Sequence, residues 1–548
     1  MKKMKNIYSL LALAFVFVLT GCIDETFPES DTATQDQVEA LPSAFEATLR
    51  GISAKMVEGY LVYGEQEHET DMSYPQFMLA QTEMLGDIFP GDEPGYDWYA
   101  TYNHFSRNFG ENSYFAYLPF FTIYQLIKTT NDVIGAVDLE NSETPSDVKG
   151  MAGQAYAARA FFYYLGMVLF EPVENIYTDV SAVKGLTIPI VTEKTTTEEA
   201  KNNPRVTHDE MVKFILGDLD TAEKCLSGDY KPSSKLLPNL AVVYGLKAKV
   251  YLWDEDYANA AKYARMAIDL ATANGAKPMT ANEWEDPTSA FAVATPGWMW
   301  YVHYDAENMQ NLANWTGWIA PEAQWSYSSL YFPCIDRSLY DKIAKTDFRK
   351  NVFLNPDRKF YDYKTSMSEK WLKETAKDYT SLKFRCVGGN TGDYATGGIS
   401  DVPVMRIEEM YLIEAEAVGV SQGVAEGVRL LNNFMTTYRD PAYNYNTSVL
   451  RNLQLEVLTQ MRIEFWGEGN AFPSAKRLKP DVIQNYSGTN APSDIYKINC
   501  KGIKPNWNLC IPIFEINSNR AIKDHNNPDP TQTVKGPTPI GQFAPGNF

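Results

Sequence analysis

Between Asn239 and Ile268 the chain spells out two consecutive helices joined by a tight turn, and this unit restricts the fold more than any other stretch. Ala241, Tyr244, Ala248, Tyr251 and Leu252 fall on one face of a helix ending near Trp253. Asp254-Glu255-Asp256 makes the turn, and Tyr257, Ala260, Ala264 and Ala267 carry the pattern into a second helix. Small alanines let two antiparallel helices approach closely, and an aromatic ring fills the space beside them, which is the packing of a tetratricopeptide repeat.

Looser helical patterns flank this unit. Phe45, Leu49 and Ile52 follow Ser43, a candidate N-cap. Phe120, Tyr124 and Ile127 lead to Val133-Ile134, and a second amphipathic run covers Gly153 to Leu169. Glu210 to Leu226 is preceded by Thr207, three residues before Glu210, as in a capping box. Val404 to Val418 repeats the helix-pair pattern loosely, with Gly423 at the turn and Ala425 to Phe434 as the return helix. The expected fold is mainly α, a tetratricopeptide-like superhelix of about four helix pairs, spanning roughly 44–275 and 401–480, with a C-terminal segment from 481 to 548.

Between the pairs, 277–400 reads as an insertion of a different kind. Trp284, Trp298, Trp300, Trp315, Trp318, Trp325 and Trp371 lie in it, seven of the eleven tryptophans, among Gly, Pro, Asn and Ser and without a helical period. Irregular loops and short strands are expected here, forming a loop-rich lobe. A smaller aromatic segment, Phe89 to Asn103, is punctuated by Pro90, Gly91, Pro94 and Gly95 and reads as a surface loop.

The N-terminus bears on location. Lys2, Lys3 and Lys5 precede an apolar run from Tyr8 to Leu19, too short and wrongly flanked for a spanning helix, so residues 1–21 read as a cleaved secretion signal. Thr20-Gly21-Cys22 then supplies a thiol directly after a small residue, as lipoprotein maturation requires. Cys22 is expected to carry lipid, and the polar stretch to residue 40 to form a stalk between lipid and a body spanning 41–548. Several acyl chains on one cysteine would anchor such a chain stably, at about 0.8 kcal/mol per buried methylene. A formal charge of −20 disfavours nucleic acid, whose binding needs a basic footprint. Five cysteines remain after Cys22, with no C-x-x-C, so neither a disulfide framework nor a zinc site is indicated. Cys500 and Cys510 either bridge or, on the favoured reading, stand as buried thiols.

No catalytic constellation emerges. The five histidines, His68, His104, His208, His303 and His525, include no pair at helical metal-ligand spacing. Nucleophile-elbow, P-loop and dinucleotide fingerprints are missing from the sequence, and Gly388-Gly389 and Gly397-Gly398 read as turns. Asp92/Glu93 or Glu408/Glu409 could in principle form a glycosidase carboxylate pair, but chance pairs are plentiful among 69 acidic residues. No cofactor, metal or catalytic residue is expected. What the chain offers instead is aromatic rings on loops, whose faces can stack on the C–H face of a sugar while Asn, Asp, Gln and Arg satisfy its hydroxyls.

At this point the chain resembles the SusD/RagB family of outer-membrane lipoproteins of Bacteroidetes. The likeness starts with Cys22 and the acidic pair Asp24-Glu25, similar to a surface-export signal. It continues through Phe120-x3-Tyr124-x2-Ile127-x3-Asn131, through Gln154 to Tyr164 with Arg159-Ala160-Phe161, through Leu186 to Val191, and through Arg205 before Thr207. Asp401-x-Pro403-Val404-Met405-Arg406-x-x-Glu409-x-Tyr411-Leu412-Ile413-x-Ala415-Glu416-Ala417 is the most specific block. Gln460 to Gly469, Lys476-Arg477-Leu478 and Ile511 to Asn519 complete the series. Arg406, Glu409, Glu416, Arg462 and Glu464 read as scaffold ion pairs rather than ligand contacts.

The resemblance implies a non-enzymatic surface lipoprotein that captures oligo- or polysaccharide and passes it to a SusC-like TonB-dependent transporter, with the protein facing the exterior. A peptide-binding lid of a RagAB-like importer and a transporter-docking scaffold with little ligand affinity are the alternatives. It also implies a loop tryptophan followed five residues later by asparagine, a spacing shared by Trp98 and Asn103, with a second aromatic from the insertion. Trp298, Trp300, Tyr301, Trp315, Trp318 and Trp325 are candidates for that ring, with Tyr96 and Asp71 as further ligand-binding candidates.

Overall fold

The computed structural model describes residues 42–59, 73–104, 109–308, 311–358 and 362–532. The expected signal, Cys22, the stalk and Asp71 lie outside them. Ten long helices carry the architecture: α1 (Pro42–Val57), α2 (Tyr74–Leu85), α3 (Tyr114–Gly135), α4 (Ser146–Phe170), α5 (His208–Leu226), α6 (Leu240–Trp253), α7 (Tyr257–Ala273), α8 (Ile407–Ser421), α9 (Val424–Tyr438) and α10 (Leu450–Glu464). From α3 to α9 each helix packs against the next in chain order, which gives the mainly α, tetratricopeptide-like row that the sequence predicts. Helix α1 begins at Pro42, which places Ser43 inside its first turn rather than before it. Thr207 does cap α5, its hydroxyl accepting from Glu210 N while the Glu210 carboxylate accepts from Thr207 N. Asp256 caps α7, its carboxylate accepting from Asn259 N at 3.1 Å.

Small residues set the helix spacing, as the pattern requires. Ala260, Ala264 and Ala267 of α7 are fully buried. At Gly153 the approach of α4 to α5 is closer still: an added Cβ would lie 2.7 Å from Cys225 Cβ and 3.3 Å from the Ala222 carbonyl.

Helices α7 and α8 pack directly on each other although the whole insertion separates them in sequence. An antiparallel pair closes that excursion. Strand β2 (Trp298–His303) runs against β4 (Asp401–Arg406), with Trp298 opposite Arg406 and His303 opposite Asp401. Residues Val404 to Arg406, expected as helix, therefore belong to a strand, and α8 starts at Ile407. Two shorter pairs join β1 (Ile88–Pro90) to β3 (Pro333–Ile335) and β5 (Val482–Ile483) to β6 (Asn499–Cys500). The rest of the insertion is short helical turns and loops, among them helices Trp315–Ile319 and Ser328–Tyr331. Cys225, Cys334, Cys386, Cys500 and Cys510 are all free thiols. Among the described residues no helix is long and apolar enough to cross a membrane.

The family-like blocks act as connectors. Arg159 of α4 holds Asp218 of α5 at 2.8 Å, Glu193 at 2.6 Å and the Asn131 side chain of α3 at 2.9 Å. Tyr124 and Asn131 donate to the Pro189 and Val191 carbonyls, so the Leu186–Val191 segment is tied to the helices. Arg205 donates to the carbonyls of Phe170, Leu186 and Thr187.

A buried ionic cluster joins the insertion to the helices. Arg406 at the end of β4 meets Glu408 of α8, Glu464 of α10 and Glu468 at 3.1, 2.9 and 2.8 Å. Arg439, just after α9, pairs with Glu408 at 3.0 Å and Glu464 at 2.7 Å. From the insertion, Arg349 bridges Asp347 at 2.7 Å and Glu464 at 3.0 Å, and Lys383 reaches Glu468 at 2.6 Å. Burial alone would raise the Glu464 pKa, but Arg439, Arg406 and Arg349 hold it well below the usual carboxylate range. A carboxylate with a lowered folded-state pKa stabilises above its unfolded value, near 4.3, and that contribution fades as pH falls. Glu83 of α2 is the opposite case: burial first, then the Asp97 charge, raise its pKa well above the usual carboxylate range. Its contribution is present at low pH and lost as pH rises through the raised value.

Removing one partner of a buried ion pair leaves the others uncompensated. Glu464→Gln is expected to lower unfolding stability by about 3–5 kcal/mol at neutral pH, measured by urea denaturation. It should also flatten the loss of stability below about pH 4.5, where the same carboxyl in the unfolded chain begins to protonate while the folded one stays charged. Glu83→Gln should flatten the alkaline limb instead, raising the melting temperature relative to wild type as pH increases.

Candidate ligand-binding face

Two loops and part of the C-terminal segment meet on one side of the insertion. The pairing of β1 with β3 sets Ile88 opposite Ile335 and Pro90 opposite Pro333, and so places residues 91–97 beside 327–332. Gly91 N and Asp92 N continue the contact, donating to the Phe332 and Tyr331 carbonyls. The 493–497 segment attaches through Ser493 Oγ, which donates to Glu93 at 2.8 Å, and through the Tyr496 hydroxyl on Asp97. Lys377 adds an ion pair to Asp92 at 2.8 Å.

An aromatic ladder runs outward through this junction. Tyr99, 2 % exposed, meets Trp318 edge-on at 5.0 Å, and Trp318 stacks on Tyr327 at 4.5 Å with their planes 20° apart. Tyr327 in turn lies 5.8 Å from Tyr96, which is 49 % exposed. The ladder therefore starts in the core and ends in solvent. Local structure fixes its middle rung. Asn314 caps the Trp315–Ile319 helix by accepting from Gly317 N at 2.8 Å, and the Tyr331 hydroxyl donates to the Trp318 carbonyl at 2.6 Å. Gly317 permits the tight passage here, since a Cβ on it would lie 2.5 Å from the Leu312 carbonyl. The indole N–H groups of Trp315, Trp318 and Trp325 find no acceptor among the described residues, so these rings are held by their faces.

Further apolar surface lies on the same segments. Leu312, Leu330 and Ile495 are exposed large hydrophobics. Trp325 is half-buried, with its ring edge against Gly397, and the neighbouring Gln324 donates to Thr391 Oγ1 at 3.1 Å. An exposed phenol ring can stack on an apolar ligand face while polar groups of the same loops hydrogen-bond around it.

The candidate residues thus separate. Tyr96 is exposed, and Trp98, Tyr301 and Trp325 are half-buried. Trp98 packs one face toward Phe115, at 5.5 Å, and its edge toward Tyr114. Asn103 is a correction: it is fully buried, donates to the Ile88 carbonyl at 2.8 Å and accepts from Gln484 and Lys504. The helical turns from Trp98 to His104 carry it inward, so the five-residue spacing does not bring Trp98 and Asn103 to a common surface. Trp298, Trp300 and Trp315 are corrections of the same kind, at most 1 % exposed. Strand β2 is buried on both sides over Trp298-Met299-Trp300, with Trp300 edge-on to Phe161 at 4.9 Å and its indole N–H on the Leu236 carbonyl. Trp315 packs edge-on to Phe384 at 5.5 Å. Trp318 is 2 % exposed and supports the face from behind rather than offering a surface of its own.

Sequence reasoning missed Tyr327, Leu330 and Ile495. Nothing local distinguishes Tyr327 from the other 33 tyrosines, since its place depends on the β1–β3 pairing. The two carboxylate pairs considered for catalysis are engaged elsewhere. Glu408 and Glu409 are buried, Glu409 against Lys249 at 2.6 Å, while Asp92 and Glu93 bind Lys377 and Ser493.

Fold and face together define a mainly helical, tetratricopeptide-like protein with an aromatic, loop-built surface. Residues 62–252 match the SusD-like family described as starch-binding and associating with the outer membrane. The chain is 24 % identical over 496 residues to SusD-like protein P2 of Formosa agariphila, covering 86 % of this chain and 90 % of that protein. Its fold superposes on a SusD-like carbohydrate-binding protein of Bacteroides vulgatus with a TM-score of 0.69 and 20 % identity, covering 89 % and 98 % of the two chains. A laminarin-binding SusD-like protein gives a TM-score of 0.59 at 18 % identity, again over 89 % and 98 %. The likeness to SusD-like proteins thus covers residues 62–252 in sequence and nearly the whole chain in fold.

Large buried rings and exposed ones should respond differently to truncation. Trp315→Ala is expected to cost about 3–5 kcal/mol of stability. Tyr96→Ala should change stability by no more than about 0.5 kcal/mol, both read from denaturant midpoints.

Proposed function

We propose that this chain is a non-enzymatic glycan-binding lipoprotein of the cell surface. It captures oligo- or polysaccharide on the Tyr96 face and delivers it to a SusC-like TonB-dependent transporter. The observation that carries this reading is the exposed Tyr96 ring at the solvent end of the Tyr99–Trp318–Tyr327 ladder. A sugar ring covering one face of Tyr96 would bury about 50 Å² of apolar surface, about 1–1.5 kcal/mol and hence about tenfold in affinity. Asp92 and Glu93, on the same 91–97 segment, supply polar partners for hydroxyls. Trp98 and Trp325 add partly open aromatic surface, and Asp71 stays a candidate polar contact. The printed descriptions of relatives point the same way: one solved relative binds laminarin, and the family description is starch-binding. Cys22 supplies the tether.

Affinity electrophoresis of the mature chain against a panel of polysaccharides tests the reading. Retardation by at least one glycan is expected, reduced about tenfold in affinity by Tyr96→Ala with an unchanged melting temperature. No retardation by any glycan, together with peptide binding in calorimetry, contradicts it. For the tether, Cys22→Ala is expected to release the protein into the soluble fraction, and continued membrane association would contradict a lipid anchor.

A further inference from the structure

The loop that carries Tyr96 has few holds of its own. Gly91 N and Asp92 N fix its start on the Phe332 and Tyr331 carbonyls, and at its end Ala100 N returns to the Asp97 carbonyl. Among the described residues, no backbone N–H from Glu93 to Asp97 donates to a backbone carbonyl. Gly95 turns the chain here at φ +85°, with open space where a Cβ would lie. A segment so poor in backbone hydrogen bonds opens easily unless side chains hold it.

The turn Asp494–Tyr496 supplies that hold from far along the chain, 399 residues separating Asp97 from Tyr496. Asp494 and Ile495 are exposed, whereas Tyr496 is 1 % exposed. The Tyr496 ring meets Phe89 edge-on at 6.0 Å and His104 edge-on at 5.0 Å. Phe89, Ala100 and Tyr496 form a small buried cluster apart from the main core. Phe89 precedes the Tyr96 loop and Ala100 follows it, so this one ring packs against both of its stems.

The hydroxyl completes the clamp. It donates to the carboxylate of Asp97, the residue next to Tyr96, and this is the one hydrogen bond that the carboxylate makes among the described residues. Burial first, and then the Asp97 charge, push the Tyr496 phenol far above its ordinary pKa, so the hydroxyl keeps its proton and remains the donor. Hydrogen bonds to an ionised acceptor are about twice as strong as neutral ones. Ser493 adds a bond to Glu93 at 2.8 Å, but that pair is exposed and water competes for it.

On the glycan reading of this face, we propose that Tyr496 is a positioning residue: without touching the ligand, it clamps the 91–97 loop so that the Tyr96 ring is held beside Tyr327 before a sugar arrives. A loop ordered in advance loses less freedom on binding, so releasing it lowers affinity.

Tyr496→Phe keeps the ring between Phe89 and Ala100 and removes the hydroxyl alone. Limited chymotrypsin digestion of the mature chain without ligand reads the loop directly, because cleavage after Tyr96 requires it to open. The Tyr496→Phe variant is expected to be cut there at least tenfold faster, with cleavage elsewhere at the wild-type rate. In affinity electrophoresis with a polysaccharide that retards the wild type, its affinity should fall at least fivefold. Asp97→Ala should reproduce both effects, and the double variant should add nothing to either single change. Unchanged cleavage after Tyr96, or faster cleavage at every site, overturns the clamp. Additive effects in the double variant overturn the Tyr496–Asp97 pairing as its cause. Faster cleavage with unchanged affinity overturns the role in binding. A wild type that no polysaccharide retards overturns the glycan reading instead, and the cleavage rates then decide the clamp.

Discussion

Arg349, Lys383, Arg406 and Arg439 meet Asp347, Glu408, Glu464 and Glu468 in one buried cluster, four cations against four carboxylates. The members come from β4, α8, the end of α9, α10 and the turn after it, and two separate parts of the insertion. Each ion loses its water on folding, and only mutual pairing and well-formed hydrogen bonds compensate for that. The arrangement therefore tolerates very few alternatives. Aromatic faces line it, with Arg406 4.6 Å from the Phe465 ring and Lys383 4.5 Å from that of Phe291. Lys383, desolvated but held by Glu468, has its pKa lowered to about 8. Such a cluster sets where the insertion sits on the helices, which is a problem of specificity more than of net stability.

That constraint gives the outer face its form. With Arg349 and Lys383 fixed, the insertion returns through β4 against β2, and β3 lies where β1 can pair with it. Only then do residues 91–97 and 327–332 meet and the Tyr99, Trp318, Tyr327 and Tyr96 rings form a continuous ladder. A platform whose inner rungs are core residues loses little side-chain freedom when a ligand lands on it, and this favours binding without added contact area.

The helices were legible because their signals are local. The Asp254–Asp256 turn, the alanine positions of α7 and the capping box at Thr207 each depend on neighbours within a few residues. The scaffold role of Arg406, Glu409, Glu416, Arg462 and Glu464 was legible through the family-like spacing, and their partners include Glu408, Lys249, Arg477 and Asp87. The face was much less so. Trp298 and Trp300 have the composition of loop residues but sit in a strand covered on both sides, and Asn103 follows a turn that no residue pattern marks. Tyr327 gains its place from a strand pairing between segments about 240 residues apart in sequence. Burial of an aromatic in an irregular lobe is a property of long-range contacts, so composition alone could not separate platform from core.

The central claim is that a rigidly mounted aromatic face receives the ligand. Hydrogen exchange with and without a polysaccharide that the protein binds tests it directly. Slowed exchange confined to residues 91–98 and 327–332, with the strands and helices of the ionic cluster unchanged, is the result the account predicts. Protection that falls elsewhere on the molecule and leaves 91–98 and 327–332 unaffected would contradict it.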